Sequence, residues 1–559
     1  MDKATLQLGG DNWAAKDSSL LGYAQGNVSN RYIPREFTFT RASTATRVNQ
    51  NGLLEKSREN LLLASNNFGD TNYWSNPGTL TGGQTDKDDG NTAWLYTNTA
   101  TGQGLYQSLT TSGVQTFSVY VKKNTTNGIR FYTLGSANVS VFFNLDTGFV
   151  TISNAIDTKI EAYNADWWRI SVTFNISLTR IYLYPTNNGT ANEIGSYTIQ
   201  NAQLEQGLVA TEYLETTSTT TKDGVVENLP RIDYSSGTPS LLFEPQRTNL
   251  VKYSEIFTGT TSGFYGGATI TNDFTQINPA GQSNSVKASN LQFVSGDRVG
   301  FDTYNITAGN TYTASVYIKG TAGETTNYTF KRLGGTYVGF PITPITLDGT
   351  WQKIEATFTT LLDNTGVTFQ IVNTANSTAD VIYLYGAQIE EGSYATSYIP
   401  TYGASVTRVL EQSYLDDLIS LGLITANTLT FFIDLNAESL IRESSAVDIL
   451  FGDVPANGIF IYNNAINSIN GAMYLRDSSS TEIIVLNSSP SKICVKVHPN
   501  DVKVFINGVN VATYTTLNFD FTANSKLILQ SKSRRQIVNN VLFFPTALSD
   551  QECITLTTI

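Results

Sequence analysis

The sequence predicts an all-β, multidomain protein: two tandem jelly-roll β-sandwiches, a third β-sandwich and a short linker helix. Three observations carry that prediction. Charged residues make up only 15% of the chain and aromatics 11%, with Tyr and Phe dominating, a composition that suits pleated, half-buried surfaces. Strand-length runs recur with turn clusters between them, the pattern of antiparallel sandwiches or jelly rolls and not of strand–helix units. Finally, one stretch occurs twice. Ala202-Gln-Leu-Glu-Gln-Gly-Leu-Val-Ala-Thr-Glu-Tyr213 returns as Ala387-Gln-Ile-Glu-Glu-Gly-Ser-Tyr-Ala-Thr-Ser-Tyr398, identical at seven of twelve positions and offset by 387 − 202 = 185.

That stretch reads as the closing strand of a duplicated domain. Ser118-Val-Tyr-Val-Lys122 matches Ser315-Val-Tyr-Ile-Lys319, Trp168 matches Trp351, and Asn60-Leu61 matches Asn249-Leu250. The offset drifts along the chain, as loops of unequal length require.

In chain order, residues 1–58 read as an arm or attachment region. Glu36-Phe-Thr-Phe-Thr-Arg41 alternates as a strand does, and Asn51-Gly52 marks a tight turn before Leu53-Leu54. The arm has too little apolar material for a core of its own, so it is expected to lie along another domain, a neighbouring subunit or an attachment site. Residues 59–215 form the first repeat, with strands such as Phe117–Lys122, Val139–Phe143, Trp168–Phe174 and Arg180–Tyr184. A strap with Pro230, Pro239 and Pro245 covers 216–247, and the second repeat covers 248–402. Over 403–426, Ser413 and Asp416 with Leu415, Leu418, Ile419 and Gly422 predict a short capped helix. A third β-domain fills 427–559, with Asn507-Gly508 at a hairpin and Ser549-Asp-Gln-Glu552 as a capping box that starts a terminal helical turn.

Composition also excludes some functions. A net charge of −12 argues against non-specific nucleic-acid binding, which needs clustered Lys and Arg. Two cysteines, Cys494 and Cys553, are no disulfide scaffold and are expected as free thiols made in a reducing cytoplasm. The opening Met1-Asp-Lys-Ala-Thr5 lacks a signal-peptide pattern, and no apolar run approaches the roughly 20 residues of a bilayer helix. A soluble protein without membrane insertion is expected.

Two resemblances follow from these residues. The duplicated unit resembles the carbohydrate-binding-module-like jelly rolls of bacteriophage structural proteins. Its markers are the opening Asn-Leu, the Ser-Val-Tyr-Val-Lys strand, the Trp-led strand and the closing Gln-Leu-Glu-x-Gly-x-x-Ala-Thr-x-Tyr. The last 130 or so residues resemble a concanavalin-A-like (laminin-G-like) lectin domain through Val504-Phe-Ile-Asn-Gly-Val509, Lys526–Leu529 and Val541–Asp550. Arg41–Val48, Pro230–Tyr234 and Leu241–Leu250 resemble phrases of virion fibre and tail-associated proteins. The resemblance implies a head fibre, decoration or tail-associated fibre subunit, assembled in the host cytoplasm and located on the virion. Its partners would be capsid or tail proteins and cell-surface glycans, and the fibre analogy favours a homotrimer.

No catalytic, metal or cofactor residue is expected. His498 reads as a strand-end surface residue, and no Gly-x-Ser-x-Gly elbow is present. One His and two Cys cannot make a usual structural zinc site. Glu390/Glu391 and Asp416/Asp417 are poor glycosidase pairs: neighbouring strand residues face opposite ways, and the aspartates belong to the linker. The Glu-x-Asp-x-x-Glu of lectin-fold hydrolases is absent. Asp86-Lys-Asp-Asp-Gly90 resembles a calcium loop but reads better as a turn, since the second copy has Asn278-Pro-Ala-Gly281 there. Trp74, Trp94 and Tyr265 are candidate sugar platforms, whereas the matched Trp168 and Trp351 suit packing. The competing readings are a polysaccharide depolymerase and a structural spacer without ligand.

Overall fold

The computed structural model describes residues 4, 6–9, 13–25, 32–187, 192–257, 268–291, 298–303, 305–335, 342–437, 446–453, 457–463, 472–485, 491–522, 524–531 and 535–558. These residues are almost entirely β, with one α-helix among them, Asp550–Thr557.

Each repeat is a two-sheet antiparallel sandwich. In the first, one sheet runs 157–162, 167–175, 114–123, 196–206, 93–97, 79–84, and the other 150–153, 140–144, 128–135, 178–186, 105–111, 74–75. In the second, the sheets run 352–359, 311–320, 382–391, 283–289, 269–277, and 343–346, 325–333, 366–372, 298–303. Strand for strand the order is the same, and among the described residues the first copy has additional outer strands. Period-two patterning produces both cores: Phe117, Val119 and Val121 point inward in one, Val316 and Ile318 in the other. Stacked rings fill the space between the sheets, Phe117 on Phe131 at 5.0 Å and Phe301 on Phe369 at 5.2 Å.

The third unit takes strands from three parts of the chain. Its core joins Leu6, Leu8, Leu20, Phe37 and Phe39 to Leu241 and Phe243 and to residues from Leu415 to Phe543. Leu6–Gly9 pairs antiparallel with Asn540–Phe543, and Leu241–Phe243 takes the neighbouring length of the same edge opposite Gln536–Val538. The segment expected as an arm thus supplies strands to this unit, and so does the strap.

The linker helix does not form. Gln412–Leu415 is a strand between Thr38–Thr40 and Leu527–Gln530, and residues 418–423 only turn, with Asp417 at φ 59. Two strand edges offer this segment ladder partners along its length, whereas a short helix carries an unfavourable nucleation step. The capping box at Ser549 is formed, its side chain accepting from the Glu552 amide while the Glu552 carboxylate accepts from the Ser549 amide.

Candidate functional site

The duplicated motif is a buried clasp. After a bulge at Asn201 or Gly386, both at positive φ, the closing strand meets the Asn that opens its repeat. Asn60 donates to Ala202 O at 3.2 Å and Leu214 O at 2.8 Å, and accepts from the Leu62 and Leu204 amides. Asn249 does the same with Ala387, Ile399, Val251 and Ile389. Glu205 and Glu390 accept from Gln203 and Gln388 and from the amide and hydroxyl of Thr211 and Thr396. Ser65 meets the Tyr213 hydroxyl at 2.6 Å, and Ser254 that of Tyr398 at 2.5 Å. Burial pushes both glutamates above the usual carboxylate range, although the bonds to Thr, Gln and a nearby Arg pull the other way. The polar groups shared by the two copies of the motif are thereby used mostly inside their own repeat, with Arg247 of the strap beside Glu390 and Arg58 of the arm beside Thr211.

A second buried cluster joins the units. Arg231 bridges Glu411 and Glu244, Arg41 reaches Glu411 at 2.9 Å, and Arg408 reaches Glu244 at 2.9 Å. All five side chains are at most 1% exposed. Burial pushes Glu244 and Glu411 up, but the guanidiniums outweigh it and hold both below their ordinary value. Arg41 comes from the end of an N-terminal strand, Arg231 and Glu244 from the strap, and Arg408 and Glu411 from the segment after the second repeat.

The sequence candidates fall as follows. Trp74 is a core residue, 1% exposed, with its indole N–H on Ala64 O at 3.0 Å and its ring 4.9 Å from Phe68; it has no face for a sugar, because its strand position points inward. Trp94 is half-buried, bonded to Asn66 O, and packed so closely that a Cβ on Gly69 would lie 2.5 Å from its ring. Tyr265 lies outside the described residues. The registers pair Val121 with Trp168 but Ile318 with Gln352, so Trp351 corresponds to the buried Trp167 and not to Trp168; Trp168 packs against the first core, and Trp351 flanks a small cluster with Leu54, Tyr385 and Tyr398. The Asp86 carboxylate accepts from the Asp88, Gly90 and Thr92 amides and the Thr92 hydroxyl. Burial raises it, but these bonds bring it down to about 2. Asn278 makes the same turn with Ala280 and Gln282, so the loop is built by side-chain capping of the backbone. His498 is exposed beside Pro499 O, and Cys494 and Cys553 are buried free thiols.

One face that the sequence candidates miss stands out. In strand 178–186, Ile181 and Leu183 point into the core, so Tyr182 and Arg180 point out. The same alternation turns out Tyr106 beside buried Leu105, and Arg130 and Tyr132 beside buried Ile129 and Phe131. Register then aligns them: Tyr182 is opposite Tyr106 on one side and Tyr132 on the other. Ring centroids lie 5.0 Å apart for Tyr106–Tyr182 and 6.3 Å for Tyr132–Tyr182, with Tyr184 stacked on Tyr182 at 5.4 Å. Burial pushes the Tyr184 hydroxyl up to about 12. Arg180 lies over Tyr106 and Tyr182, and Arg130 over Tyr132 at 4.9 Å. The result is a half-exposed row of three aromatic rings with cationic and hydroxyl donors on both sides. In the second copy the same layer reads Gly300, Gln370 and Thr329, without a ring.

The repeats also differ at one end. In the first, Val114 and Leu208 pack on Ile256, Tyr253 and Tyr402 of the second, and the Val114 amide donates to Tyr402 O at 2.7 Å. In the second, the matching positions are Thr311 and Ser393, which line an open polar cleft of about 870 Å³ with Arg247, Asn310, Tyr312 and Glu391.

No family model matches the chain, and no curated protein matches it. Solved structures similar to parts of it include an enzymatically active domain of tailspike protein 4 from bacteriophage CBA120. That pair shares 12% identity over 26% of this chain, at a TM-score of 0.22, and this chain spans 21% of that one. Another is the N-terminal CBM22-1–CBM22-2 tandem domain of Paenibacillus barcinonensis Xyn10C, at 14% identity over 63% of this chain and 100% of that one, TM-score 0.22. A third is domain 4 of an extracellular arabinanase from Geobacillus stearothermophilus in complex with arabinotriose, at 17% identity over 30% and 81%, TM-score 0.22. At these scores the likenesses carry no conclusion about this chain.

Proposed function

We propose that this protein is a non-catalytic, glycan-binding component of a bacteriophage virion surface, and that it binds through the tyrosine face of its first jelly roll. The observation that carries the reading is the in-register row Tyr132–Tyr182–Tyr106 on an outward sheet face. Sugar rings present apolar C–H faces ringed by hydroxyls; aromatic rings cover the first, and Arg, Ser and Asn groups at their margin bond the second. The virion assignment is supported by the fibre-like phrases in the connecting segments, and homo-oligomerisation would add avidity to a shallow site.

Binding without turnover is supported by the state of the buried carboxylates. Glu205 and Glu390 serve the clasps and Glu244 and Glu411 the junction. Glu255 accepts from Lys56 and three tyrosine hydroxyls. The test is a polysaccharide array probed with the full chain and with Tyr182→Ala. Loss of binding in the variant, with an unchanged melting curve, is the expected result. A bound polysaccharide that is shortened during incubation would replace this reading with a depolymerase; no binding by the wild type would leave a spacer.

A further inference from the structure

The two arginines on the tyrosine face are held in the same way. Arg180 donates through Nε to Ser108 Oγ at 3.0 Å and through Nη1 to the Tyr182 hydroxyl at 2.7 Å. Arg130 donates through Nε to Ser140 Oγ at 2.9 Å and through Nη1 to Asn192 Oδ1 at 3.0 Å. In each case two neutral acceptors and an aromatic ring fix the guanidinium plane. In each case Nη2 has no acceptor, and no carboxylate lies within ion-pair distance, among the described residues. Some other half-buried cations on this acidic chain do take carboxylate partners, as Lys122 does with Asp166 and Arg58 with Asp223. Arg130 sits opposite Tyr184, four residues along the strand from Arg180. At roughly 3.3 Å per residue their backbone positions are offset by about 13 Å along the strand direction, on either side of the ring row.

We propose that this face selects a carboxylate-bearing polysaccharide, the sugar rings lying along Tyr132–Tyr182–Tyr106 and the carboxylates meeting Arg130 and Arg180. This rests on the glycan-binding reading and adds the charge class of the ligand. Pre-fixed guanidiniums suit it, because a planar fork loses little freedom when a carboxylate arrives, and a net-negative protein otherwise repels a polyanion.

The test pairs each acidic polysaccharide with its own carboxyl-reduced form, so that only charge differs, and measures binding of the full chain by affinity electrophoresis at two salt concentrations. The expected result is binding to an acidic member at least about tenfold tighter than to its reduced form, weakened by salt. Arg180→Gln and Arg130→Gln should each erase most of that ratio without lowering the melting temperature, and Arg180→Lys should restore the salt dependence in part. Equal binding of acidic and reduced forms would overturn the charge assignment and leave the glycan-binding reading intact. Binding of neither form of any member would overturn both.

Discussion

Glu411→Gln is the sharpest probe of how the units are joined. The wild-type carboxylate is fully buried and accepts from Arg41 Nη1 at 2.9 Å, Arg231 Nε at 2.7 Å, Arg231 Nη2 and the Glu244 amide at 3.1 Å. The amide keeps the shape but turns two donor hydrogens toward guanidiniums. It also leaves Arg41, Arg231 and Arg408 with Glu244 as the one remaining carboxylate of the cluster. Removing one partner of a buried ion pair costs ~3–5 kcal/mol because a charge stays buried without compensation. The retained oxygen places this variant near the lower value. Urea unfolding of the full chain, followed by circular dichroism, should show the loss in the transition of the third unit, whose core includes Phe39, Ile232 and Phe243, near Arg41, Arg231 and Glu244 along the chain. The sign of the pH dependence follows from the same geometry. Glu244 and Glu411 are held below their ordinary value of 4.5. Their contribution is therefore complete above that pH and is lost as pH falls through the folded values. Wild-type stability should drop on acidification below about 4.5, more steeply than that of the variant. A loss under about 1 kcal/mol with an unchanged acid limb would refute the argument, because it would mean that the network is neutral to folding.

Two further outcomes follow. Glu205→Gln should cost less than Glu411→Gln at neutral pH, about 1–2 kcal/mol for its hydrogen bonds. Burial raises Glu205, so its ionisation opposes folding as pH rises through the carboxylate range, and the variant should gain relative stability in that window; a cost equal to that of Glu411→Gln would contradict this. Gly113→Ala should loosen the contact between the two jelly rolls, since its φ is 91 and a Cβ would lie 2.0 Å from Tyr402 O. Limited proteolysis should show new cleavage near the contact, whereas Gly52→Ala, with φ 74 and nothing within 4 Å, should keep the wild-type pattern.

Much of the candidate site was written in the sequence but not addressed. The alternation Ile181-Tyr182-Leu183-Tyr184 already places tyrosine on the outer face of a strand. Trp74, by residue type the stronger sugar-platform candidate, is core because its strand turns it inward. What no single strand records is that Tyr106 and Tyr132 stand opposite Tyr182. Register across three strands made that row.

The same division runs through the whole molecule. Sequence alone determined what is local: which runs become strands, where Ser549 starts a helix, how Asp86 and Asn278 close their turns, and that Asn60 and Asn249 open equivalent repeats. These outcomes depend on side-chain alternation, capping and turn chemistry within a few residues. Tertiary structure decided which edges meet. It sent Leu6–Gly9 to Asn540–Phe543, made Gln412–Leu415 a strand in place of a helix turn, and packed one repeat's apolar end while leaving the other's polar end open. A strand edge carries the same amide and carbonyl groups whatever its sequence, so its partner is chosen by shape, burial and chain path rather than by any signal it contains.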